Sequence, residues 1–240
     1  MALLRAELRR QLGRRGSAWG SAGLMALVGG GIVLWALLSK NATAAGVVDN
    51  GGGTLAFFAF LVAVLIGALA GSFDVDQGTM RYLVLTGVSR TRLALVRLPG
   101  IAITLLVVMV PAYLLVFVAV LIAGGEAPTG EMWLDLFYQP ILMAWIYGTI
   151  SLAIGMMLRS NGVAIAVAML INFAGLLLAE LIADKVSVLA GELFISSSTA
   201  IVMDRTAGHE LSIAAAVFVT IAWMVVLMGA AVARVQRAEY

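Results

Sequence analysis

Six long stretches of this 240-residue chain carry no charge, and they constrain the fold more than any other feature. They run over residues 16–39, 50–73, 99–125, 136–158, 160–179 and 211–233. Each supplies the roughly 20 apolar residues that cross about 30 Å of hydrocarbon as a helix. In lipid the backbone satisfies itself only as a helix or a closed barrel. The alternating ten-residue pattern of a barrel strand does not occur here. The expectation is therefore an all-α integral membrane protein with six transmembrane helices over about 17–39, 53–73, 98–123, 136–158, 161–182 and 211–233. These form a single domain spanning residues 1–240. Composition agrees: 62% hydrophobic and 12% charged residues fall far from the roughly 45–50% and 25% of soluble domains. Too few polar residues remain to cover a water-facing surface.

Six spans place both termini on one side, and arginine and lysine say which. Arg5, Arg9, Arg10, Arg14, Arg15, Arg81, Arg90, Arg92, Arg97, Arg159, Arg234 and Arg237 fall on one face, and only Lys40, Lys185 and Arg205 on the other. Positive residues favour the cytoplasm, so both ends are expected inside a bacterial cytoplasmic membrane. The N-terminal apolar run is longer than the 7–15 residues of a cleaved signal and reads as a span.

Leu4, Leu8 and Leu12 recur four residues apart before the first span, interleaved with Arg5 and Arg9. This pattern predicts an amphipathic helix over residues 1–16 lying at the interface, with arginines on anionic headgroups. The plainer alternative is a topology anchor, which needs the arginines alone. Between the second and third spans, residues 74–97 divide into two short helices. Asp76 is placed to cap the first and Gly87 to end it, and Ser89 to cap the second, which runs through Arg97 into the third span. Tyr82, Leu83 and Leu85 are too apolar for a solvated linker and ask for a covering surface.

The run Gly78-Thr79-Met80-Arg81-Tyr82-Leu83, followed by Val88-Ser89-Arg90-Thr91-Arg92-Leu93, resembles the coupling-helix region of ABC-2-type transporter permeases, the membrane subunits of ATP-binding-cassette exporters. The layout resembles that family as well: a basic amphipathic first helix, six spans and a long segment between the last two. Gly87 stands where the family often has proline, and aspartates stand where it often has glutamate. The resemblance implies that residues 74–97 dock into a cytoplasmic ATPase subunit. Asp74 and Asp76 would meet basic residues of that partner, Tyr82 and Leu83 would fill an apolar slot, and Arg81, Arg90 and Arg92 would meet acidic residues or headgroups. Ordinary topology marking is the plain reading of each arginine, and of Arg97 in particular. The resemblance also implies a second permease copy, as a homodimer or with a related chain.

No phosphate-binding loop occurs, because neither Lys40 nor Lys185 follows a glycine. ATP and magnesium would therefore be bound by the partner, with no cofactor, no metal and no nucleic acid expected on this chain. Glu180 is the one acid inside a predicted span, near its outer end, and reads as an interfacial carboxylate before a pathway residue. Asn172, at mid-span, reads as interhelical glue. Gly67 with Gly71, and Ser151 with Gly155, have the spacing that lets helices approach closely. Pro111 is a candidate kink. Residues 184–210 are too polar to span and too apolar for free solution, so short helices dipping into the outer leaflet are expected. The chain carries no cysteine and a single histidine, His209, which leaves no catalytic residue to name. A non-transporting membrane partner (an immunity or assembly subunit) shares the topology without needing a docking segment. A membrane-embedded enzyme is the more distant alternative.

Overall fold

The structure, a computed structural model, describes residues 2–39, 41–76, 87–158, 160–204 and 209–237, without the side chains of Arg15, Val75, Asp76 and Asp204. The described residues form helices: α1 (Ala2–Gly13), α2 (Gly20–Leu38), α3 (Ala44–Asp76), α4 (Arg90–Leu95), α5 (Arg97–Ala123), α6 (Gly130–Leu158), α7 (Asn161–Lys185), α8 (Val188–Glu192), α9 (Ile195–Asp204) and α10 (Ile213–Arg237). A π-helical turn, Arg15–Trp19, leads into α2. No strand occurs among the described residues. Six of the helices are long and apolar enough to cross a bilayer, the architecture of a multi-pass membrane protein.

The second and fourth of these helices begin earlier than the uncharged stretches suggest, at Ala44 and Gly130. The reason is local capping. The Gly46 N–H donates to Thr43 Oγ1 at 3.1 Å, and the Met132 N–H to Thr129 Oγ1 at 3.3 Å. Each threonine satisfies an amide that a helix start leaves without an intrahelical partner. Two further orphan amides of α3 are met by a neighbouring loop, Ala44 N–H by Gly124 O (2.7 Å) and Ala45 N–H by Glu126 O (3.0 Å). That loop turns through Gly124 and Gly125 at φ +63° and +72°, a backbone region glycine enters without steric cost. At 33 and 29 residues, α3 and α6 are thus longer than the roughly 20 residues that cross the hydrocarbon. Pro111 and Pro140 both lie within unbroken helices.

The chain divides into two compact units, residues 1–66 with 95–148 and residues 67–94 with 149–240. In the first unit α2 packs along α5. The approach is close because Gly29 has no side chain: a Cβ there would lie 2.9 Å from Leu115 Cβ and 3.0 Å from the Ala112 backbone. Phe60 and Tyr147 meet edge to face at 4.8 Å, an arrangement that adds about 0.5–1.5 kcal/mol beyond the area they bury. In the second unit the end of α3 meets the end of α6 through Gly71 and Gly155. A Cβ on Gly71 would collide with Leu152 O, and one on Gly155 would sit 2.7 Å from Ala68 O. Gly67 and Ser151 are buried on the same two helices. Where lipid tails are as apolar as leucine, such backbone-to-backbone contact, rather than hydrophobic burial, holds helices together.

The segment between the fifth and sixth spans folds as two short helices. Ser187 caps α8, accepting from Ala190 N–H at 3.1 Å. Gly191 lies against α7, where a Cβ would collide with Ala179 O. Val186, Val188, Leu189 and Leu193 remain exposed.

Candidate functional site

The interfacial and docking residues singled out by sequence fall at two places, the N-terminal helix and the chain around α4. Helix α1 forms over Ala2–Gly13 with Arg5 and Arg9 exposed and Leu4, Leu8 and Leu12 half-buried. Its deepest residues are not the leucines. Glu7 and Gln11 are 8% and 4% exposed and lie on the first turns of α5. There a Cβ on Gly100 would stand 2.9 Å from Glu7 Cγ and 3.2 Å from Gln11 Nε2. Gln11 Nε2 donates to Glu7 Oε1 at 2.8 Å, Thr104 Oγ1 donates to Gln11 Oε1 at 2.8 Å, and Arg10 Nη2 pairs with Glu7 Oε1 at 2.7 Å. Buried polar groups must be satisfied in this way or cost about 1–3 kcal/mol each. The helix is therefore held to the third span by a polar clasp, with its leucines along the flank. The leucine spacing does not point to this clasp. The signal for it in the sequence is a pair of i, i+4 spacings, Glu7 with Gln11 and Gly100 with Thr104, which place each pair on one helical face.

The second place adds contacts that the sequence does not announce. Asp74, expected on the docking surface, lies in the last turns of α3 and is 3% exposed. The helix continues to Asp76, so residues 74–76 belong to the same helix as the second span. Gly78, Thr79, Arg81, Tyr82 and Leu83, with the short helix expected of them, lie outside the described residues. Past them the chain turns at Gly87, whose φ of +80° is left-handed. Ser89 then caps α4: its Oγ accepts from Arg92 N–H at 3.3 Å, and its carbonyl from Leu93 N–H at 3.0 Å.

A turn at Val96 separates α4 from α5. Arg97, read as a topology-marking charge, is 3% exposed. Arg92 is exposed. Arg90 turns inward to the end of α10, with Nη1 3.1 Å from Gln236 O and 3.5 Å from Val235 O. Of the three arginines expected to face a partner, Arg92 is free to do so from its exposure, Arg90 is engaged within the chain, and Arg81 is not described.

The intramembrane polar residues separate. Asn172 is buried within α7, whereas Glu180 is exposed one turn from its polar end. Ser72 and Asn161 join the end of α3 to the start of α7 by a hydroxyl–amide hydrogen bond. On the opposite end of the same unit Glu192, 6% exposed, gathers the chain before α10. Its Oε2 accepts from Leu211 N–H at 2.7 Å, and its Oε1 lies 3.2 Å from both Glu210 N and His209 Nδ1. Ser212 then caps α10.

In the first unit a groove of about 620 Å³ opens between α2 and α3. Leu27, Ile32, Trp35 and Phe58 wall it, and its polar members Asn50 and Thr54 are hydrogen-bonded into their own helix. No cluster of three metal-ligating side chains occurs among the described residues.

A comparison with protein-family models finds no match, and no similarity to a curated protein reaches significance.

Proposed function

We propose that this chain is the membrane subunit of an ATP-driven exporter of the ABC-2 type, a permease moved by separate ATPase subunits. One observation carries the reading. The chain turns at a left-handed Gly87 and restarts as a Ser89-capped helix just ahead of the third span. This gives the acid–turn–base order of residues 76–92 a defined structural end from which the intervening apolar residues can be presented. The six apolar helices and the clasped amphipathic helix α1 support the same reading. The docking surface then consists of Asp76, Arg81, Tyr82 and Leu83 with the exposed Arg92, and excludes the buried Asp74. Charge asymmetry favours a bacterial plasma membrane with both termini in the cytoplasm. Two copies, or one with a related chain, would complete a twelve-span core.

The test is purification in mild detergent, followed by measurement of ATP hydrolysis and nucleotide-dependent transport. An ATPase is expected to co-purify, and Asp76→Lys or Arg81→Glu to abolish transport while leaving the six spans inserted. Full activity with no nucleotide-hydrolysing companion would overturn the reading. Association with an ATPase that survives both charge reversals would remove residues 76–92 from the interface.

A further inference from the structure

The Arg90 geometry leads beyond docking. A helix ends with four carbonyls that have no intrahelical donor, and its C-terminus carries about half a negative charge. In α10 these carbonyls include Val235 O and Gln236 O. Both lie within reach of the Arg90 guanidinium, and Gln236 Nε2 returns a bond to Thr91 Oγ1 at 2.8 Å. The two contacts are reciprocal: residue 90 donates to the end of α10, and residue 236 donates to the start of α4. On the far side Ser89 caps α4 and Gly87 turns the chain. Leu93, Ala94 and Val235 are all buried. Three consecutive residues, Ser89, Arg90 and Thr91, are thereby fixed from both directions.

We propose that Arg90 is a latch joining the start of α4 to the C-terminal end of α10, so that residues 87–94 and the last helix move as one body. A displacement of the segment between the second and third spans then reaches the sixth span directly, through a charge-assisted bond rather than through lipid. Arg90 acts here as a positioning residue. The latch stands on this geometry alone, whereas its use to carry a nucleotide-driven stroke rests on the permease reading above.

Hydrogen exchange on the purified chain in nanodiscs tests the latch without any ATPase. Arg90→Ala is expected to speed exchange of the amides in residues 228–237 by roughly three- to fivefold, and Gln236→Ala by about threefold. Arg90→Lys, which keeps the charge but loses the planar fork, should restore part of the protection. Unchanged exchange in both alanine variants overturns the latch. If Arg90→Ala does not fold, Gln236→Ala decides alone.

Adding the partner ATPase and nucleotide separates the two ideas. Concerted changes in residues 90–95 and 228–237 that become uncoupled in Arg90→Ala support the latch as a force path. A nucleotide response confined to residues 90–95 in the unaltered chain overturns that role and leaves the permease reading standing. Protection lost in Arg90→Ala with no nucleotide response from any ATPase leaves the latch standing and removes the permease reading.

Discussion

The contact between Gly71 and Gly155 allows a test in which one small change has opposite signs at two positions. Replacing a helical glycine by alanine normally favours the helix by about 1 kcal/mol. At Gly71 the added Cβ would collide with Leu152 O and lie 2.9 Å from Met156 N and 3.0 Å from Gly155 Cα. All three are backbone atoms, which no rotamer change can move. Restoring ordinary contact near 3.4 Å requires α3 and α6 to retreat by up to about 1 Å at that point, and a gap of that size forfeits a quarter to a half of the dispersion energy of the atoms lining it. Overpacking of this kind costs typically 1–3 kcal/mol; with every clashing atom in the backbone the upper part of that range, about 2–3 kcal/mol, applies, and after the helix gain the expected net loss for Gly71→Ala is about 1–2 kcal/mol. For a chain of this length that corresponds to a fall in Tm of about 5 °C. Gly23 and Gly30 on α2 have nothing within 4 Å of the place an added methyl would occupy, and alanine there should leave Tm unchanged or raise it. Heating in detergent, followed by the fluorescence of the five tryptophans, reads all three variants. Equal Tm values for Gly71→Ala and Gly23→Ala would refute the argument that backbone proximity at this crossing stabilises the fold.

Other outcomes follow from single contacts. Thr104→Val removes the donor to Gln11 Oε1 and should cost about 1–3 kcal/mol, seen as faster hydrogen exchange across residues 2–13; unchanged exchange there would dismiss the clasp. Glu192→Gln leaves one acceptor oxygen where two serve the chain before α10. It should weaken protection of the Glu210 and Leu211 amides by about tenfold, with residues 87–94 unaffected. Gly87→Ala places a side chain at φ +80° and should destabilise by about 1–2 kcal/mol, whereas Gly87→Asn, which tolerates that region, should cost less. Equal stability of the two variants would show that the turn adopts another conformation.

Six spans are legible in the sequence because the energetic requirement is composed residue by residue. A charge within hydrocarbon costs several kcal/mol wherever its neighbours lie, so uncharged runs of sufficient length announce helices before any packing is known. Caps are legible for the same reason: Ser89 and Gly87 act on amides and torsions within a few residues of themselves. What the sequence could not decide is which polar side chains face inward. Glu7, Asp74, Arg90 and Arg97 are all charged residues outside the uncharged stretches, and position alone gives each of them the same reading, a charge for the cytoplasmic surface. Tertiary structure turns Glu7 and Gln11 onto the bare backbone at Gly100, buries Asp74 and Arg97, and folds Arg90 onto carbonyls 145 and 146 residues away. Those outcomes depend on where the end of another helix comes to lie. Hydropathy is a sum over neighbours in the chain, whereas a hydrogen bond needs two partners whose separation in sequence carries no trace of their meeting.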